Sequence, residues 1–534
     1  MQQFDGTSTL ELFLLGHHAG SRPHQGGTGL PRPSPVVAPL PSRCSQETSV
    51  LSSDRPARAS SRLILVVLVL GVLAFALVQG LIAPVLPEIQ RDLNTTQSLV
   101  TWVLTAYLLS ASIFTPILGR LGDRIGKDRV MLISLTALAV GSLISAVAPN
   151  ISVMLIGRII QGAGGGVVPL AFGIIRDELP RERVAGSVGI VAALLAVGGG
   201  IGITLSGPIT GTLGYRALFW LPGIVVVVAA VASHLVIPPS PTRHPGRISW
   251  TASTLLAAWL VALLVPLTQA SSWGWGSTRV IGLILAAVVL AAAWIVVETR
   301  SANPLIDMRM MRLPAVWTTN LVALLFGVGM YALMGFLPAF VETPASAGYG
   351  FGASITQAGL ILLPMTAAMF LSGMLAPRLS HRFGPKRILV AGTVISIGAF
   401  AILTLAHDQR WEVLLAMAII GLGFGAAFAT MSNLIVAAVP AHQTGVANGM
   451  NANIRTIGGS VGAALMTSIV GAHTLPGGLP AESGYTWGFA ALGVASVGAA
   501  LAALLVPHHG RAASNPAEGT IGSPDFRPAA AAAR

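Results

Sequence analysis

Gly119-Arg-Leu-Gly-Asp-Arg-Ile-Gly126 stands between two long apolar runs, and 258 positions later the chain reads Pro377-Arg-Leu-Ser-His-Arg-Phe-Gly384. The echo extends outward. Gly162, Gly164 and Gly166 return as Gly421, Gly423 and Gly425, Pro180 returns as Pro440, and Gly198-Gly199 returns as Gly458-Gly459, at offsets of 259 to 260. One block of six apolar runs is therefore duplicated in the same direction. Parallel halves about an axis along the membrane normal are a transporter architecture, with a site near the midplane between them.

Composition agrees. Of 534 residues, 53% are hydrophobic and only 9% charged, and the mean hydropathy is +0.76. A soluble domain carries about 25% charged residues, so a soluble enzyme is excluded. A membrane helix needs about 20 apolar residues, and fourteen such runs are present, from 63–87 to 486–507. They are continuous, unlike the alternating segments of a membrane barrel. The expected fold is an all-α membrane protein: a six-helix bundle over 63–238, two inserted helices with their loops over 239–313, and a second six-helix bundle over 314–507. The inserted runs, about 249–297, have no counterpart in the repeat. Polar tails over 1–62 and 508–534 are expected to be disordered.

The net charge of +12 would suggest nucleic acid in a soluble protein. Here the bases follow topology instead. Loops after even-numbered runs hold sixteen Arg and Lys, and loops after odd-numbered runs hold four. The even loops and both termini are thus expected in the cytoplasm, with the lipid bilayer as the partner and no nucleic acid. Cys44, the one cysteine, lies in the N-terminal tail, so no disulfide framework or cysteine metal site is expected. No cofactor or metal is expected.

The loop Gly119 to Arg129 is the first functional candidate. Gly122 and Gly126 permit close backbone approach. Asp123 is an anion to pair with Arg124 or Arg129, or to sit at a helix N-terminus. Such a cluster at the cytoplasmic mouth can latch two halves together and release them. Gly207, Pro208 and Gly211, after the glycines at 198–202, make the fifth run tightly packing and bendable. Arg158 and Arg455 both fall well inside the bilayer, where an ionised side chain is expensive and usually functional. Gln161, Asn451, Gln79, Tyr107 and Tyr331 are further polar candidates for substrate or coupling contacts, and Asn448 and Asn453 flank Asn451. None of the 19 acids lies at the centre of a run. The cavity should therefore be electropositive, favouring neutral or anionic compounds over lipophilic cations. Gly162 to Gly166 is no dinucleotide loop, since it lies within an apolar run and follows no strand.

These motifs resemble those of the major facilitator superfamily, specifically its fourteen-helix drug:proton antiporter branch. Gly119-Arg-Leu-Gly-Asp-Arg-Ile-Gly126-Lys-Asp-Arg129 is similar to that superfamily's signature between helices two and three, and Arg158-Ile-Ile-Gln161-Gly162 to its helix-four signature. Gly207-Pro208-Ile-Thr-Gly211-Thr212 is similar to the helix-five signature of exporters, with Thr212 where that pattern ends in Gly. The resemblance covers 63–507. It implies secondary active export of drugs or antibiotics across the plasma membrane, in exchange for protons, by a monomer, and a coupling role for Arg158. The acid usual in helix one is absent: the stretch reads Val78-Gln-Gly-Leu-Ile-Ala-Pro-Val-Leu86-Pro87, with Val78 at its position. Two other readings remain open, uptake or exchange of a small organic anion and a non-transporting membrane sensor.

Overall fold

The computed structural model describes residues 60–507 except 241–248, 302–303, 441–442 and 476–478. The tail expectations fall outside these residues, as does Cys44, except at 60–62, where Ser61 and Arg62 begin the first helix. Among the described residues, fourteen helices are long and apolar enough to cross a membrane. In chain order they are α1 Ser61–Gly80, α2 Gln97–Ile125, α3 Lys127–Ala146, α4 Ile151–Glu178, α5 Arg181–Leu213, α6 Ala217–Val236 and α7 Trp250–Trp273. They continue as α8 Thr278–Arg300, α9 Pro314–Glu342, α10 Ile355–Phe383, α11 Pro385–Leu405, α12 Arg410–Ala438, α13 Thr444–Ala472 and α14 Glu482–Leu505.

Polar caps start many of these helices. Thr96, Asn150, Ser249 and Ser277 each accept a hydrogen bond from the amide three residues on, and Ser354 forms a capping box with Gln357. These caps satisfy donors left free at a helix start, and within the helices the backbone is satisfied internally, as a bilayer requires. The outer surface is apolar: Leu235, Val289 and Val494 are exposed, and Trp250, Trp411 and Trp487 are exposed at helix ends. The multi-pass membrane fold is thus as expected.

Three local expectations need correcting. The run 63–87 is not one helix: α1 stops at Gly80, and a 3-10 turn, Ala83–Val85, leads to a short helix, Leu86–Asp92. Pro84 has no N–H for the carbonyl of Gly80, and Pro87 ends the next turn in the same way. The stretch 119–129 is hardly a loop, because α2 runs to Ile125 and α3 starts at Lys127. The whole turn is Gly126, at φ +113°, a conformation that favours glycine. Finally, α4 is broken by a 3-10 turn, Ala163–Gly166. Its glycines are poor helix formers, and Pro169 cannot donate to Gly165.

The two halves meet along two seams, α2 against α13 and α5 against α10. The repeat maps one seam onto the other. Gly449 approaches Thr115 in the first, and the equivalent Gly189 approaches Gly373 in the second. The inserted hairpin breaks this symmetry, since α7 packs on both α2 and α13. Its Ala252, Leu256 and Leu260 share a core with Val446, Ala447 and Met450 of α13 and with Ile113 and Ile117 of α2.

Candidate functional site: a polar latch and a central hollow

At the Arg/Lys-rich end, Asp123 and Lys127 are buried, at 2% and 1% exposure. Lys127 Nζ lies 2.6 Å from Asp177 Oδ2 and 3.7 Å from Asp123 Oδ1. The expected partners Arg124 and Arg129 are both exposed. The single-residue turn at Gly126 explains the difference: it holds α2 and α3 in register so that Lys127 points back into the bundle. Ser240 fixes this turn from outside, since its hydroxyl accepts from Lys127 N at 2.8 Å and its own amide donates to Asp128 Oδ1 at 3.0 Å.

Asp123 also faces the other half. Its Oδ1 lies 3.8 Å from where a Cβ on Gly445 would sit, and Gly119 meets the backbone of Gly445 so closely that a Cβ there would come within 3.1 Å. Gly445 is in the first turn of α13, whose N-terminal partial positive charge favours an anion. Beside it, Arg176 of α4 crosses the seam. Its Nη1 lies 2.7 Å from each of Val436 O, Val439 O and Thr444 Oγ1. These are free carbonyls at the end of α12 and the hydroxyl that begins α13. A cation at one helix's C-terminus and an anion at the next helix's N-terminus make a dipole-matched latch.

Arg158 and Gln161 form a buried network away from the seam, with Arg158 Nη2 left without a partner among the described residues. Arg158 is 0% exposed. It donates from Nε to Val103 O at 2.8 Å and from Nη1 to Gln161 Oε1 at 2.7 Å, and Gln161 donates to Ser142 Oγ at 2.7 Å. The guanidinium stacks on Tyr107, 4.3 Å from the ring centre. The network ties α4 to α2 and α3, and Tyr107 separates it from the central hollow.

That hollow lies between the halves and has a volume of about 60 Å³. Gln79 and Tyr107 from the first half, and Tyr331, Asn453 and Arg455 from the second, line it. Five residues singled out in the sequence, Asn453 among them, are therefore brought together. Asn451 is not among them: it donates to Asn320 Oδ1 at 3.0 Å, tying α13 to α9. Arg455 rests on Phe428, 4.3 Å from the ring centre, with Tyr331 as its polar neighbour. A bound drug-sized molecule needs about 300–1,000 Å³, so this conformation is closed around its centre. A larger hollow of about 220 Å³ opens at the basic end beside Arg120, Asp307 and Gln443. It is an open cleft pairing one cation with one anion, so it selects neither charge.

Helix α5 continues unbroken through Pro208 to Leu213. Gly207 packs against Thr356 of α10, while Gly211 has no close neighbour. Thr204 Oγ1 reaches Gly359 O at 2.8 Å, and Gly200 fits against Thr366. This second seam is therefore a zipper of small residues. At the end away from the basic loops, His407, Asp408 and Glu482 gather their ligand atoms within 4.8 Å, with His407 Nε2 lying 3.2 Å from Glu482 Oε1.

Sequence reasoning gave no site role to Lys127, Asp177 or Arg176: Lys127 and Arg176 were counted among the topology-setting charges, Lys127 also within the loop signature. A faint signal existed for Lys127, one of only two lysines in the chain.

Comparison with known proteins agrees with this geometry. The chain is 27% identical, over 76% of each sequence, to the tetracenomycin C resistance and export protein of Streptomyces glaucescens. It is 28% identical to the uridine/deoxyuridine transporter of Lactococcus lactis subsp. cremoris, over 79% of this chain and 89% of that one. The crystal structure of the human organic anion transporter MFSD10 shares the fold, with a TM-score of 0.62 at 16% identity, covering 84% of this chain and all of that one. The family model of the Major Facilitator Superfamily matches residues 68–463. The chain is a transporter-type membrane protein, not an enzyme, and it belongs to the Major Facilitator Superfamily.

Proposed function

We propose that this chain exports small amphipathic compounds, such as drugs or antibiotics, across the plasma membrane by alternating access, drawing on the proton gradient. In this reading it works as a monomer with both termini in the cytoplasm. The carrying observation is the pairing of a polar latch across one end of the seam with a closed hollow between the halves. Arg176 bonds across the seam to the ends of α12 and α13, Asp123, set beside Lys127 within the first half, faces the start of α13, and the hollow behind them is lined by both halves. Releasing the latch would let the halves rock about their packed cores, a rigid-body transition of a known type. Gly207, Pro208 and Gly211 give α5 the freedom to bend during that motion, and the buried Arg158 network braces the first half while it moves. The Gly207-Pro208 pattern and the similarity to a tetracenomycin C export protein support the outward direction.

The test is flux in proteoliposomes of purified protein with an imposed proton gradient, across a panel of cationic, neutral and anionic compounds. Gradient-driven movement of at least one compound toward the face opposite Arg124 and Arg382 is expected. Accumulation in the other direction would favour the second reading, uptake or exchange of a small organic anion. That reading draws on Arg455 in the hollow and on the similarity to a nucleoside carrier.

A further inference from the structure

Three side chains on the wall of the central hollow carry polar atoms with no hydrogen-bond partner among the described residues: Tyr107 Oη, Asn453 Nδ2 and Arg455 Nε. All three residues are more than nine-tenths buried, at 1%, 2% and 6% exposure. Tyr107 comes from the first half of the chain and the other two from the second. All three groups can donate. The other hydroxyls on this wall with a described bond are occupied: Thr115 Oγ1 donates to Ala111 O at 2.6 Å and Thr456 Oγ1 to Ala452 O at 3.1 Å. Among the described residues, no carboxylate lines the hollow. The guanidinium of Arg455 is thus a buried cation whose nearest described neighbours are the ring of Phe428 and Tyr331.

Buried donors and buried charges are costly when unpaired. An arrangement that leaves three donors free on residues lining one hollow, one of them cationic, is completed by a ligand that brings acceptors and negative charge. Arginine forms its strongest hydrogen bonds with oxyanions, and a carboxylate can take both arms of its fork.

We propose that Tyr107, Asn453 and Arg455 form the oxyanion subsite of the substrate chamber, and that the preferred cargo is an amphipathic aromatic carboxylate. The proposal rests on the export reading above and names its substrate class. The size of the hollow fits. A volume of about 60 Å³ holds only a few waters, enough for an anionic head group but not for its apolar body. The body would occupy space that opens when the walls bearing Phe75, Leu108, Val168 and Leu195 move apart. Contributions from both halves mean that the anion bridges the seam, so that binding draws the halves together around it.

The experiment uses full-length protein in lipid nanodiscs and proteoliposomes. Three probes share one aromatic body: 1-naphthylacetate, its neutral methyl ester, and a 1-naphthylmethyl-trimethylammonium salt. Wild-type protein is expected to bind and move the acid at least about tenfold better than the ester, and the ammonium least. Arg455→Gln should reduce the acid-to-ester ratio to about one. Arg455→Lys, which keeps the charge but loses the fork, should restore part of it. Asn453→Ala should lower the ratio by a smaller factor. Arg382→Gln, on the exposed surface, should change nothing. The subsite assignment is overturned if wild-type protein prefers the ester or the ammonium, if it fails to bind the acid, or if Arg455→Gln leaves the ratio intact. Transport of the ester or the ammonium in those cases would leave the export reading standing. Absence of any flux for all probes despite measured binding would instead count against transport itself.

Discussion

The two seams of this molecule descend from the same duplicated contact, yet they have been built in opposite ways. Along α5 and α10 the surfaces meet as a zipper of small residues: Gly189 against Pro377, Gly200 against Thr366, Gly359 against Thr204. Along α2 and α13 the small residues Gly119, Gly445 and Gly449 also meet closely, but charged groups are added at other positions, with Asp123 at the N-terminus of α13 and Arg455 facing the hollow. The repeat equivalents show how complete the divergence is. Lys127 corresponds to Pro385, Asp177 to Ala437 and Asp123 to His381, which is exposed. Arg176 corresponds to Val436, one of the residues whose carbonyl it approaches. Duplication supplied a symmetric scaffold, and the asymmetric charges sit on one seam, the one the inserted α7 covers. Packing of small residues can slide or tilt by small steps, whereas a charge cluster is either made or broken. The polar seam is accordingly where a two-state gate belongs.

The comparison can be broken most severely at Lys127. Replacing it with Met leaves Asp123 and Asp177 buried without their shared cation. Breaking a buried ion pair on one side costs about 3–5 kcal/mol, so Lys127→Met should lower the thermal unfolding temperature markedly and abolish flux. Adding Asp123→Asn and Asp177→Asn should recover much of the stability but not the gating. Next comes Arg176→Ala, which frees the end of α12 and removes charged hydrogen bonds worth about 1.5–3 kcal/mol. It should shift the population toward a state open at the basic end, seen as faster alkylation of a cysteine placed at Gly445. Overfilling the other seam with Gly200→Val should cost about 1–2 kcal/mol by forcing α5 from α10. That change should reduce flux without altering cysteine access at Gly445. Arg382→Gln, in the exposed copy of the repeated loop, should stay within about 0.5 kcal/mol of wild type in stability.

The fold was legible because the bilayer imposes a strict rule: fourteen apolar runs can only be fourteen crossings, and the internal echo at 119 and 377 orders them into halves. Fine structure was less legible where one residue outweighs a pattern. The proline at position 84 ends α1 early, and Gly126 compresses an expected loop into one residue. At the site, Tyr107, Tyr331, Gln79 and Arg455 were readable as polar residues inside apolar runs, and the structure gathers them around one hollow. Arg158 looked the same in sequence but is sealed behind Tyr107, because depth in the membrane says nothing about which face of a helix a residue occupies. Asn451 and Asn453, two positions apart, turn in different directions, one to Asn320 and one to the hollow. Arg176 and Lys127 were hidden among the charges that set topology, since a positive residue at a helix end reads alike whether it faces water or caps a neighbouring helix.

The most direct test of a gate on the polar seam is the spread of distances between spin labels on Arg124→Cys and Arg382→Cys, with Cys44 replaced by Ser. These exposed sites sit on the repeated segments of the two halves, at the same basic end. With the latch intact a single short distance should dominate, and adding Arg176→Ala should raise a second, longer one at its expense. A distribution that stays the same with and without Arg176 would mean that the halves are not held by this latch, and would contradict the account.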